Sequence, residues 1–293
     1  MNVAATIPTR PVLRWHGGKW RLAPWILSHF PPHRVYVEPF GGAASVLLRK
    51  EPSHAEVYND LDGGVVELFR ILRDERRAAE FTRQLRLTPF ARQEFLAAYQ
   101  DSDDPIEAAR RLVIRAFMGH GSDSASGVVS GFRANSNRSG TTPAHDWANY
   151  PDALRATIER LRGVIVEQRD ACEVMRQHDA PTTLHYLDPP YVHETRTWML
   201  SGKGKGNYRY ELDNAGHERL LETAVDVEGM VLISGYAHEI YESALGEWRR
   251  VETQAHADGA RPRTEILWIN PQACAALEET RSQAELMFTD TEL

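Results

Sequence analysis

Five short apolar runs, at residues 35–38, 56–58, 164–168, 183–187 and 230–234, each end at a turn or a polar cluster. Runs of this length that are apolar nearly throughout read as strands covered on both faces. The chain around and between them carries helical periodicity, at residues 19–29, 43–50, 62–73, 147–161, 214–225 and 238–245. Parallel neighbours need a crossover of a dozen or more residues, whereas antiparallel ones are joined by tight turns. The alternation of strands and helices therefore predicts an α/β fold with a mainly parallel sheet. Near the C-terminus, residues 249–254 and 265–269 flank a turn-rich stretch containing Asp258-Gly259 and Pro262. That pattern predicts an antiparallel hairpin closing one sheet edge.

The second and third runs lie more than 100 residues apart, far beyond one crossover. Within that gap residues 89–99 and 106–118 have helical patterning, and 119–146 has the Gly, Ser, Asn and Thr content of a loop or hairpin. The expected organisation is a discontinuous main domain over residues 11–73 and 147–275, a small helical insert over 74–146, and a tail over 276–293. Five acids against one arginine in that tail predict disorder.

A net charge of −7 counts against a phosphate-bearing partner, but the charge is unevenly spread. Five arginines oppose one acid between Arg110 and Gly140, and four basic residues oppose two acids between Tyr191 and Glu211. No stretch approaches the roughly 18 apolar residues of a membrane span, and Pro8, Arg10 and Pro11 stand where a secretory leader needs an apolar run. A cytoplasmic protein is expected. Cys172 and Cys274 have no Cys or His neighbours at ligand spacing, so neither a metal site nor a disulfide is indicated, and both are expected to be buried.

The sharpest chemical signal is Asp188-Pro189-Pro190-Tyr191, directly after the run at 183–187. Two prolines fix the backbone and cannot continue a sheet ladder, so they hold a carboxylate, a carbonyl and an aromatic ring at a strand's carboxyl end, where open α/β sheets bind ligands. The Asp188 carboxylate and the Pro189 carbonyl can each accept one N–H of an amino group on a flat base, with Tyr191 stacked on the ring. Glu38-Pro39-Phe40-Gly41-Gly42 follows the first run; its glycines allow close approach of a ligand at the start of the helix expected over 43–50. Asn59-Asp60 ends the second run, Asp60 lying 19 residues beyond Gly41, the spacing at which an acid meets a ribose. Trp15-His16-Gly17-Gly18-Lys19 offers an aromatic surface, a close approach and a cation for a ligand carboxylate. His217 and His238 fall on expected helices and read as packing or capping residues.

Together these segments resemble the Dam-like, D12-class family of DNA adenine-N6 methyltransferases, in which a W-x-G-G-K segment, an E-P-F-x-G loop, an acidic pair after the second strand and a D-P-P-Y segment occur in this order. The likeness covers most of residues 11–271 and includes Ile233-Ser234-Gly235-Tyr236 and Arg263-Thr264-Glu265-Ile266-Leu267-Trp268-Ile269-Asn270. It implies a Rossmann-like methyltransferase fold whose main domain is catalytic, with S-adenosyl-L-methionine as methyl donor, adenine N6 in DNA as acceptor after base flipping, and no metal. By the resemblance Trp15, Lys19, Asp60 and Asp188 contact the donor or its neighbours, Phe40, Gly41 and Gly42 line its pocket, and residues 188–191 hold the adenine. Asp170 falls where the family contacts the donor's adenine, although Ala171 or Cys172 replaces the phenylalanine often found nearby.

The same resemblance makes the insert a target-recognition region reading DNA through Arg133, Asn135 and Arg138. Arginine and asparagine are the side chains that pair with guanine and adenine edges. Where members acting at GATC carry asparagine-x-proline-phenylalanine-glycine, this chain has Thr141-Thr142-Pro143-Ala144-His145. Lys203, Lys205 and Arg209, interleaved with Trp198 and Tyr208, fit a loop closing on displaced bases and phosphates. The implied partner is duplex DNA with a flipped adenine, on the nucleoid of a bacterial or phage-infected cell. Monomer and homodimer both stay open, as do two rivals: an N4-cytosine methyltransferase and a DNA-binding homologue without catalysis.

Overall fold

The computed structural model describes residues 7–121, 129–137, 140–192, 210–256 and 262–289. One sheet holds seven strands in the order β3-β2-β1-β4-β5-β7-β6. They are β1 Val35–Glu38, β2 Ala55–Asn59, β3 Val164–Glu167, β4 Thr183–Leu187, β5 Met230–Gly235, β6 Arg249–His256 and β7 Pro262–Ile269. The first five run parallel, and β7 pairs antiparallel with both β5 and β6. The α/β fold, the parallel core and the closing hairpin are those expected from the sequence; the tip of the hairpin, with Asp258-Gly259, lies outside the described residues.

Side chains alternate across the sheet, as the twofold strand period requires. Tyr36, Tyr58, Tyr186, Leu232 and Leu267 enter one apolar cluster, while Val231, Ile233, Ile266 and Trp268 enter another on the opposite face. The first face is covered by α2 Gly63–Arg73, α3 Glu75–Leu87, α4 Arg92–Ala97, α5 Pro105–Met118, α6 Pro143–Ala148 and α7 Tyr150–Arg160, with α1 Ala23–Leu27 beside them; the second by α8 Ala171–Gln177, α9 Asn214–Asp226 and α10 Glu239–Ala244. Phe81, Phe95 and Phe117, from the stretch between β2 and β3, belong to the same cluster as Tyr36 and Tyr58. That stretch is an insertion in sequence, but its apolar side chains join the cluster under the sheet.

Several expectations need correction. The helix predicted over 43–50 is a series of turns ending in one 3-10 turn, Leu47–Arg49. Ala44 there takes a left-handed φ of 51°, which a continuing α-helix cannot contain. Buried partners hold the turn: the Glu38 carboxyl accepts from the Leu47 N–H, and Arg160, paired with Glu56, donates to the Leu47 carbonyl. The helix predicted over 147–161 is two, separated at Asn149, because Pro151 supplies no N–H to carry a ladder across the junction. α1 is shorter than the predicted 19–29, and α3 and α8 had no predicted counterpart.

The predicted disordered tail is also overturned as far as Thr289, because α11 spans Pro271–Thr289. Asn270 caps it: Oδ1 accepts from the Ala273 N–H at 2.9 Å and from the Val231 N–H at 3.0 Å, while Nδ2 donates to the Gly229 carbonyl. A firm cap tied to β5, followed by Ala, Leu, Glu and Gln, outweighs the charge density that suggested disorder. Both cysteines are free thiols; Cys172 is buried, but Cys274 is half-buried rather than enclosed. Among the described residues no helix is long and apolar enough to cross a membrane.

Candidate active site

The strand order places β1 beside β4, and the direction of chain progression reverses between them. Such a switch point opens a crevice at the carboxyl ends of the strands. Three of the segments singled out in the sequence end there: 38–42 after β1, Asp60 after β2 and 188–191 after β4. The Trp15–Lys19 stretch crosses over them. Together they line a cavity of about 870 Å³, its open mouth included, with Tyr186, Ala171 and residues 210–212 completing the wall.

The glycines of this wall answer to packing. A Cβ on Gly41 would lie 2.1 Å from the Tyr58 ring, and one on Gly42, at φ 47°, would lie 2.8 Å from the Trp15 indole nitrogen. The loop is therefore wedged between two aromatic rings, and the Tyr58 hydroxyl donates to the Gly42 carbonyl at 2.7 Å. Gly17, at φ 68°, and Gly18, whose N–H donates to the Trp15 carbonyl, make the tight turn that brings Lys19 inward.

Lys19 is buried, and its ammonium lies 3.0 Å from the Gly17 carbonyl, 2.9 Å from Asp188 Oδ1 and 3.4 Å from Glu265 Oε1. The ammonium is thus paired with the strand-end acids while Lys19 also lines the cavity. Ser234 Oγ also donates to Asp188 Oδ1, at 3.0 Å, and since its one proton is used there, the Tyr186 hydroxyl 3.0 Å away donates to Ser234. Among the described residues the bonds to Asp188 all end on Oδ1. Its side chain keeps 20% of its surface exposed, on the cavity wall.

Tyr191 stands beside this pair rather than on the wall. Its hydroxyl donates to Glu265, its ring meets Tyr236 edge-on at 4.6 Å, and the Lys19 ammonium lies 4.8 Å over it. Burial and the adjacent Glu265 carboxylate hold its phenol well above the ordinary range. Burial also raises the Glu265 carboxyl, opposed by Lys19. Pro190 lines the cavity, whereas Pro189 is buried behind it.

Two further acids face the cavity. Asp60 accepts from the Gly42 N–H and the Asp62 N–H, both at 2.8 Å; burial lifts its carboxyl to about 6 against the pull of those amides. Asp62 caps α2, its side chain accepting from the Gly64 N–H. Glu38 is buried, its Oε2 accepting from the Tyr36 hydroxyl at 2.7 Å and the Leu47 N–H at 3.0 Å, and burial lifts it to about 8.

The structure brings Trp15, Gly17, Gly18, Lys19, Glu38, Pro39, Phe40, Gly41, Gly42, Asp60 and Asp188 to one cavity. It keeps Asn59 and Asp170 off the wall. Asn59 is fully buried, its amide donating to the Pro39 and Arg169 carbonyls and its carbonyl accepting from the Arg169 N–H, so it brackets two loops. Asp170 caps α8 and pairs with Arg219 at 2.6 Å. Arg133 Nη1 donates to the Phe117 carbonyl at the end of α5, and Asn135 closes a local turn with the Asn137 N–H. Arg138, Lys203, Lys205 and Arg209 lie outside the described residues. His217 is buried against the Tyr241 hydroxyl, and His238 caps α10.

Sequence reasoning gave Glu265 and Ser234 no role in the site. The available signal was an acid in the middle of an otherwise apolar strand ending and a hydroxyl closing the run at 230–234.

A mainly parallel sheet with an antiparallel closing hairpin, and an Asp-Pro-Pro-Tyr turn facing a cavity at its switch point, define a Rossmann-like methyltransferase. The model for the family described as D12 class N6 adenine-specific DNA methyltransferase matches residues 15–254. The chain belongs to that family. It is similar to the DNA adenine methylase of Serratia marcescens, 34% identical over 77 residues, which are 26% of this chain and 27% of that protein. It is also similar to the DNA adenine methylase of Vibrio cholerae serotype O1 (strain ATCC 39541 / Classical Ogawa 395 / O395), 35% identical over 69 residues, 24% of each chain. The matched part thus spans about a quarter of the length of these curated relatives.

Proposed function

We propose that this protein transfers a methyl group from S-adenosyl-L-methionine to the N6 amine of an adenine swung out of duplex DNA. The observation that carries the reading is the carboxylate of Asp188, held by two donors on Oδ1 and part of the cavity wall, which leaves Oδ2 for the amine. Oδ2 accepts one N–H of the amine and the Pro189 carbonyl the other, drawing the nitrogen lone pair out of the ring and aiming it into the cavity. Tyr191 supports the base by its ring. As positive charge develops on the nitrogen, two oxygens already in place stabilise it, which lowers the barrier without reorganisation.

The cavity suits a cationic small molecule of the donor's class. Its wall carries Glu38, Asp60, Asp62, Asp188 and Glu211 beside the Trp15 and Phe40 rings, the mix of apolar surface and a few polar groups typical of ligand sites. When bound, the donor supplies an electrophilic methyl on a sulfonium. Asp60, on the cavity wall, accepts from a ribose hydroxyl; Trp15 and Gly42 shape the contact surface. The stretch carrying Arg133 and Asn135 reads the duplex, together with Arg138 and the basic loop bearing Lys203, Lys205 and Arg209.

The test incubates the full chain with labelled S-adenosyl-L-methionine and genomic DNA, then analyses the digested nucleosides by mass spectrometry. N6-methyladenine is expected, and it disappears in Asp188→Ala, which leaves a folded protein. N4-methylcytosine as the product, or full activity in that variant, overturns the proposal.

A further inference from the structure

We infer that Glu265 is a positioning residue for the transfer step, fixing the Tyr191 ring and the Lys19 ammonium and, through Lys19, the oxygen that Asp188 presents to the amine. The inference rests on the function proposed above and deepens it. Because β7 runs antiparallel, its N-terminal part lies level with the carboxyl ends of β4 and β5; Ile266 pairs with Gly235, the last residue of β5. Glu265 therefore reaches the crevice from the hairpin, a part of the chain that otherwise only closes the sheet. It is 2% exposed, in a strand whose next four residues are apolar and buried. A carboxylate in such a place opposes folding unless it is paired and hydrogen-bonded, so packing alone does not account for it.

Its partners are both members of the site. Oε1 accepts from the Tyr191 hydroxyl and lies 3.4 Å from the Lys19 ammonium, which in turn lies 2.9 Å from Asp188 Oδ1 and 4.8 Å over the Tyr191 ring. Without Glu265 the Tyr191 hydroxyl loses its carboxylate acceptor, while the ring keeps its edge contact with Tyr236 and the lysine cation lying over it. The lysine keeps Asp188 and the Gly17 carbonyl but loses one of the two carboxylates that share its charge. Both changes shift the groups that hold the amine while leaving the wall formed by residues 38–42 and Asp60 in place. The transfer rate falls and donor affinity does not.

The experiment uses the full chain with Glu265→Leu, Glu265→Gln, Tyr191→Phe and the doubles. It measures kcat for methyl transfer, the donor Kd by calorimetry, and the fluorescence of 2-aminopurine placed at an adenine that the wild-type protein has been found to methylate. Glu265→Leu is expected to lower kcat roughly 10- to 100-fold, to leave the donor Kd within about 3-fold of wild type, and to alter the 2-aminopurine signal. Its effect should combine with Tyr191→Phe less than additively. Glu265→Gln, which keeps the volume and an acceptor for Tyr191 but removes the charge facing Lys19, loses less and decides the matter if the leucine variant does not fold. Unchanged kcat in a folded variant, additive losses, or kcat and donor affinity falling together overturn the inference. Absence of adenine methylation by the wild type overturns instead the reading on which it rests.

Discussion

Asp188 is held by groups from distant stretches of chain: Lys19 before the first strand, Ser234 at the end of β5 and, through Lys19, Glu265 on the hairpin. Arg133 and Asn135 are held locally. Among the described residues their stretch is tied by an isolated bridge between Gly119 and Phe132, by Phe132 against Phe90 and Phe95, and by Arg133 at the end of the helix it follows. The contrast has a physical reason. Chemistry at one nitrogen demands positions fixed to fractions of an ångström, which cross-links between strand ends supply; reading a duplex edge demands a surface that can vary without disturbing the core. Under the proposed function, substitutions at Asp188 should therefore act on rate, and those at Arg133 on DNA affinity.

The largest effect is expected at Asp188. Under the proposed function Asp188→Ala removes one of two acceptors aimed at the developing charge and should lower kcat by about 100- to 1,000-fold, with the affinities for DNA and donor within a few-fold of wild type. Single-turnover kinetics and a binding titration measure the two separately. A parallel collapse of DNA affinity would show that the strand end also carries recognition, and the contrast would not hold.

How much of this was legible in the sequence divides along the same line. The strands were legible because each is a short apolar run bounded by turns, and the run at 183–187 has the observed bounds of β4. Asp188, Gly41, Gly42 and Asp60 were legible because Pro and Gly punctuate the chain at strand ends. Glu265 was not, since its meaning depends on an antiparallel strand returning it to the level of β4, a fact about pairing that no local pattern contains. The same holds for Asn59, whose position beside Asp60 suggested a ligand contact but whose amide is used to join two loops. Chain 43–50 misled because Ala-Ala followed by Leu-Leu has helical character locally, while the backbone there is set by buried partners from β1 and α7. The acidic tail misled because composition was weighed without the cap that Asn270 provides.

Glu38 gives the next effect, and it concerns how rigid the strand-end region is. Its carboxyl rises from 4.5 to about 8 in the folded protein, so folding is linked to proton uptake. The contribution is fully present below pH 4.5 and is lost as pH rises through about 8. Asp60, raised from 3.8 to about 6, adds a loss of the same sign over a lower window. Glu38→Gln imitates the neutral acid, since one oxygen can still accept from Tyr36 and Leu47. Its stability relative to wild type should therefore rise from pH 5 to pH 8, by on the order of a few kcal/mol at most, read by denaturant unfolding at each pH. A difference that stays flat with pH would place the ionised form in the folded state.

At Arg133 the expected change is smaller and of another kind. Arg133→Ala removes a half-buried side chain that caps the end of α5, at about 0.5–1.5 kcal/mol of stability. Under the proposed function it raises the KM for DNA about 10-fold and leaves kcat at saturating DNA nearly unchanged. A fall in kcat with KM constant would mean that the inserted helices take part in the chemical step, and Asp188 and Arg133 would no longer represent separate tasks.

The smallest effect is expected at Ala44, where the rigid region carries a visible cost. Its φ of 51° is left-handed, a conformation that burdens a residue with a Cβ by about 1–2 kcal/mol. Ala44→Gly relieves that strain, but it also removes a fully buried methyl, worth about 0.8 kcal/mol, and loosens the unfolded chain by about 0.5–1 kcal/mol. The terms oppose each other, so Tm should move by the equivalent of less than about 1 kcal/mol. Ala44→Val tests the account from the other side, because a β-branched residue at this φ is a genuine outlier and its added carbons enter a filled cluster. It should cost about 2–3 kcal/mol and weaken donor binding, since Gly42 and Asp60 are tied to the same turn. If valine were tolerated as well as glycine, the loop would be adapting to its occupant, and the preorganisation ascribed to the strand ends would not extend to the donor's side of the cavity.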